Sequence, residues 1–108
     1  MNQMFISGNV TSVKEVATVK NSKVLNFSVA VNKHYTTNEG EKKTETTYIE
    51  CALWNQENKY PFIKKGTHVT IRGEASARAY LSKEGVAMPV LACQVDDIEF
   101  QNKKEKEG

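Results

Sequence analysis

At 108 residues, with 39% hydrophobic and 26% charged residues, the chain has the size and balance of one globular domain; a second core would leave each half too small to bury enough apolar surface. This composition excludes an intrinsically disordered protein. No apolar run approaches the roughly 18 residues of a membrane span, and the N-terminus MNQMFISGNV lacks the regions of a signal peptide, so no membrane association and a cytoplasmic location are the expectation.

The net charge is only +2, yet residues 1–95 hold 12 Lys/Arg against 8 Asp/Glu. The body of the chain is therefore basic enough to attract phosphates without being polycationic. Residues 4–10 and 13–19 are rich in β-branched and apolar side chains and predict a first strand that bends or bulges at Gly8 and Asn9. After the turn residues Asn21 and Ser22, residues 24–32 alternate, with Leu25, Phe27, Val29 and Val31 on one face. The polar stretch 33–46 reads as a long, mobile hairpin tip. A third strand covers 47–55, and a short helix is predicted over 58–65, with Pro61 in its first turn and Gly66 as its stop. Residues 67–81 form a long fourth strand interrupted by Gly73, residues 82–85 a turn, and residues 86–100 the last strand or strands. The end, 102–108, is charged and expected to be disordered, leaving a single domain over 1–101.

Strand, strand, strand, helix, strand, strand, without βαβ alternation, predicts an all-β, five-stranded Greek-key barrel with a short helix between its third and fourth strands. On the third strand Ile49, Cys51 and Leu53 form the apolar face, which puts Tyr48 and Trp54 beside Glu50 on the other. The only tryptophan thus falls on a polar face, where burial needs a covering partner. On the fourth strand Tyr80 shares parity with Arg72 and Arg78. Ring faces for bases and guanidinium groups for phosphates are what a sequence-tolerant single-strand groove requires. Tyr35 has the parity of the core residues Leu25 to Val31, so a bulge or coil near Lys33 must re-aim it. Lys33, Lys42 and Lys43 would give its hairpin a flexible basic character. Phe5, Phe27, Phe62 and Phe100 are assigned to core or interface.

Catalysis finds little support. His34 and His68 lack a Ser, Cys or carboxylate in any nucleophile or metal motif, and alternation splits Asp96 from Asp97 across their strand. Cys51 and Cys93 have no ligand spacing and read as buried free thiols. A binding protein without metal or cofactor is the expectation.

Together the segments MNQMFISGNV, VLNFSVAVNKHY, GEKKTETTYIECALWN, YPFIKKGTHVTIRGEASARAY and VDDIEF, in this order and spacing, resemble the bacterial and phage single-stranded DNA-binding (SSB) protein family across residues 1–101. The resemblance implies an OB fold that binds single-stranded DNA during replication, recombination or repair, in a nucleoid-associated setting. It implies base stacking on Tyr35, Tyr48, Trp54 and Tyr80, with phosphate contacts from Lys33, Lys42, Lys43, Arg72 and Arg78. It also implies a homotetramer, a dimer of dimers, rather than a simple dimer. Ile49 departs from the histidine many members carry at an intersubunit position. The ending KKEKEG is unlike the long tail with an acidic tip through which cellular members recruit replication proteins, so tail-mediated recruitment is not expected. Two other readings remain at this level: a primosomal replication-restart dimer of similar fold, and an OB-fold module for protein or oligosaccharide partners.

Overall fold

A computed structural model describes residues 1–101; the charged tail expected over 102–108 lies outside them. In chain order the elements are β1 (Met4–Val13), β2 (Ala17–Val19), β3 (Ser22–Thr36), β4 (Lys42–Trp54), a 3₁₀ helix η1 (Glu57–Phe62), β5 (His68–Leu81) and β6 (Ala87–Phe100). The sheet runs β1-β5-β6-β4-β3-β2, and an added β1–β3 pairing closes five of the strands into a barrel. All pairings are antiparallel except β4–β6. This is the OB architecture expected from the sequence. The short β2, which pairs only with β3, means that the third and fourth strands read from the sequence are β4 and β5.

Closure depends on β1 serving two neighbours. Met4 to Asn9 pair with β5, and Asn9 to Val13 pair with β3. The strand changes partner at Gly8 and Asn9, where the sequence predicts a bend, and the register skips Thr11 one turn of the pleat later. Gly8 is required there by space: a Cβ would meet the Ala30 carbonyl oxygen at 2.3 Å. The second close approach is at Gly73, whose Cβ would meet the Gln94 carbonyl oxygen at 2.1 Å and Cys93 Sγ at 2.7 Å.

The core fills the barrel with the inward set of each strand, including Phe27, Val29, Leu53, Val69 and Ile71, all at most 1% exposed. Helix η1 plugs one end through Tyr60, whose hydroxyl lies 2.8 Å from the Leu53 carbonyl and 3.1 Å from that of Lys23, so its one polar atom is satisfied. Cys51 and Cys93 stand opposite one another on β4 and β6 as buried free thiols. Burial pushes the Cys51 thiol well above its usual range, with the neighbouring Cys93 and Glu50 adding to the effect. Burial and then Asp96 raise Cys93 as well.

Four local expectations are corrected. The stretch 33–46 is not a long loop: β3 runs to Thr36 and β4 starts at Lys42, so only Thr37–Glu41 turn. Polar composition there reflects a ribbon with two wet faces. The helix is a shorter 3₁₀ turn that ends at Phe62 with Pro61 inside it. Gly66, at φ +93°, serves a following turn in which Thr67 N–H donates to the Lys64 carbonyl at 3.0 Å. Asp96 and Asp97 are not simply split by alternation, because Arg72 pairs with Asp97 and Gly73 with Val95, leaving Asp96 as the extra residue of a bulge. Nor do residues 13–19 all belong to the first strand: β1 ends at Val13 and Ala17–Val19 form β2. Phe5, assigned to core or interface, is 65% exposed on β1.

Candidate nucleic-acid interface

The outer face of the barrel across β3, β4, β6 and β5 carries most of the residues singled out above. Strand register sets them in rows. Ser28 pairs with Glu50 and Glu50 with Ala92, which pairs in turn with Ser76. Neighbouring rows hold Asn26, Ala52, Gln94 and Glu74 on one side, and Val90 with Arg78 on the other. Tyr48 and Trp54 flank Glu50 and Ala52 along β4, about 20 Å apart at the usual strand rise.

Tyr48 is 62% exposed and lies opposite Ala30, too small to cover it. Trp54 is half-buried because the register sets it opposite Val24, itself 4% exposed, so the indole rests on the barrel wall. Behind it β4 ends sharply. Asn55 takes a left-handed φ of +58°, and its Oδ1 accepts from the Lys23 N–H at 3.0 Å. The tryptophan is thus held at the end of a fixed strand.

Arg78 and Tyr80 follow Ser76 at two-residue steps on β5, as the β5–β6 pair leaves β4 and becomes a free ribbon. Tyr80 is 57% exposed and sits opposite Met88. Tyr48, Trp54, Arg78 and Tyr80 therefore share the outer face. Lys42 has the same parity further out on the β3–β4 ribbon, where His34 Nδ1 lies 2.9 Å from Thr44 Oγ1.

Tyr35 does not join them. The β3–β4 register runs unbroken from Val24↔Trp54 to Thr36↔Lys42, so the bulge or coil expected near Lys33 is absent and Tyr35 keeps the parity of the core residues. It is nevertheless 38% exposed, because beyond Val31 the ribbon leaves the barrel and its inner face has nothing to pack on. Lys33 and Lys43 share that face, and Lys43 Nζ lies 3.4 Å from Glu41 Oε1. Arg72 lies at the far end of β5, on the outer face but between Phe5 and Asp97 in register, where Glu99 lines the same hollow. Its surroundings are acidic.

Sequence reasoning missed the floor of the site. A groove of about 340 Å³ runs between the aromatics, lined by Lys14, Asn26, Glu50, Ser76, Arg78 and Gln94 together with small residues. Alternation on one strand identifies Glu50, Ser76 and Arg78 as outward; placing Lys14, Asn26 and Gln94 beside them needs cross-strand register. Lys14 reaches this place because its backbone N–H donates to the Asn26 carbonyl at 2.9 Å, continuing β1 along β3.

A five-stranded OB barrel whose outer face carries a polar groove between exposed aromatics is a module for oligonucleotides or oligosaccharides. A sequence profile narrows the class: the chain belongs to the Single-strand binding protein family, which it matches over residues 1–101. It is 29% identical over 109 residues to the single-stranded DNA-binding protein B of Bacillus subtilis (strain 168), an alignment covering 98% of this chain and 95% of that relative. It is also 29% identical over 111 residues to the single-stranded DNA-binding protein A of the same organism, of whose length the match spans 63%. Its fold resembles the small single-stranded DNA-binding protein from Streptomyces coelicolor, with a TM-score of 0.78 and 19% identity over 92% of this chain and 93% of that one. A Plasmodium falciparum SSB in complex with ssDNA gives 0.76 at 19% identity, over 94% and 96%.

Proposed function

We propose that this protein binds single-stranded DNA with little overall sequence preference, stacking bases on Tyr48, Trp54 and Tyr80 and holding phosphates with Arg78 and the ribbon lysines, to protect the strand during replication, recombination or repair. The observation that carries the reading is the shared outer face of Tyr48, Trp54, Arg78 and Tyr80, on which Arg78 also lines a polar groove. Stacking tolerates every base and contributes about 1–3 kcal/mol per ring. Tyr35, Lys33, Lys42 and Lys43 act as a second contact area, the β3–β4 ribbon folding over a bound strand. Arg72 contributes least, because Asp97 and Glu99 compete with phosphate for its guanidinium. No catalytic step is assigned to the protein.

The protein acts as a homo-oligomer, a tetramer in preference to a dimer, in the cytoplasm with the nucleoid. Support comes from Phe5, a large apolar side chain left exposed on β1. Light scattering on the purified chain tests this through a mass of four chains. Trp54, the sole tryptophan, reports on DNA binding. Poly-dT is expected to quench its emission strongly, and unchanged emission at micromolar protein and low salt would overturn the stacking reading.

A further inference from the structure

The groove between the aromatics has an unusual charge order for a surface that meets a polyanion. Lys14 stands on the β3 side and Arg78 on the β5 side, while the carboxylate of Glu50 lies between them on β4. None of the ion pairs among the described residues involves Lys14, Glu50 or Arg78. The Glu50 carboxylate is held from one side only: Ser28 Oγ donates to Oε2 at 3.3 Å. Its second oxygen has no hydrogen-bond donor among the described residues.

A phosphate placed over Glu50 would be repelled, so the backbone of a bound strand follows a cationic rim and the base edges turn towards the floor. A carboxylate only accepts hydrogen bonds, and bases differ in what they donate. Cytosine offers its N4 amino group, and a carboxylate accepting from that group is an established pairing. Thymine presents carbonyl oxygens and a single ring N–H, and its O4 would face the carboxylate with repulsion. The neighbouring Asn26 and Gln94 amides and the Ser76 hydroxyl can satisfy either kind of edge and do not offset this difference.

We propose that Glu50 is a specificity-determining residue that biases one stacking subsite, between Tyr48 and Trp54, towards bases with an exocyclic amino group, cytosine above all, and against thymine. The inference rests on the DNA-binding reading above and refines it: most of the track tolerates every base, and one position does not.

The test is a Trp54 fluorescence titration at neutral pH with oligo-dC and oligo-dT of about 12 nucleotides, a length within the reach of one OB fold. The ratio of oligo-dC to oligo-dT affinity is expected to be about fivefold higher in the wild-type chain than in variants that lack the Glu50 charge, the lower end of the contribution of a base-edge pair. Glu50→Gln keeps the volume and an acceptor for Ser28 while removing the charge, and Glu50→Ala removes both. Each is expected to strengthen oligo-dT binding and lower that ratio, and the Gln variant carries the test should the Ala variant fold poorly. A ratio left unchanged by both substitutions would overturn the role of Glu50. Quenching by neither oligonucleotide is a different failure, that of the DNA-binding reading itself.

Discussion

The barrel and the two ribbons that leave it are built from the same strands with the same alternation, yet they present it to different surroundings. Along β3 the odd positions Leu25, Phe27 and Val29 are buried, while Lys33 and Tyr35, which continue that face without a break in register, are exposed. On β5 the change comes after Gly73: Val69 and Ile71 are fully buried, whereas Ala77, Ala79 and Leu81 of the same parity are exposed. Alternation fixes which side chains share a face. Whether that face is dry depends on an opposing strand, which the barrel supplies and the ribbons lack.

That contrast yields predictions that separate stability from binding. The largest effect belongs inside the barrel: Phe27→Ala should destabilise the fold by about 3–5 kcal/mol, seen as a lower melting temperature by circular dichroism. A comparable cost without any lost side chain is expected from Gly73→Val, since even a Cβ would strike the Gln94 carbonyl; an unchanged melt would show that the β5–β6 bulge can yield. On the outer face the balance reverses. Trp54→Ala should weaken single-strand binding by about 1–3 kcal/mol and lower stability by less than Phe27→Ala, because Trp54 only leans on the wall at Val24. Tyrosine fluorescence must report the titration of that variant.

Smaller again is Tyr35→Ala. Its place on the other side of the ribbon predicts a binding loss below that of Tyr48→Ala, and an equal loss would show that the inner face of the ribbon is a primary contact and not a second one. The thiols give the last comparison and leave neutral pH untouched. Cys51 and Cys93 keep their protons in the folded chain at a pH where unfolded thiols, near about 8.5, have lost theirs. The unfolded state then binds fewer protons, so stability is complete below that pH and declines as the pH rises through it. Denaturant melts across this range should show the decline, and the same burial predicts that a thiol reagent labels the native chain slowly and the unfolded chain at once.

Much of this was legible in the residues. Strict alternation around Ile49, Cys51 and Leu53 put Tyr48, Glu50 and Trp54 on the opposite face, which is where they stand. Gly8 and Gly73 marked places where the backbone departs from a simple strand. The stretch 33–46 misled, because polar residues are as natural on a two-sided wet ribbon as in a loop, and composition cannot tell them apart. Asp96 and Asp97 misled for another reason: a bulge arises from the mismatch of two distant strands, and nothing in the local sequence records it.

The sequence by itself determined the inward sets of β3, β4 and β5 within the barrel and the outward place of Trp54, Tyr48 and Tyr80, because side-chain direction in a strand follows from a period of two. Only the tertiary structure decided which outward residues are neighbours. Lys14, Asn26, Glu50, Gln94 and Ser76 come from five segments, and they form one groove through hydrogen-bond registers between strands far apart in the chain. Pairing at that range is chosen by closure of the whole barrel around its core, a condition that no single segment contains.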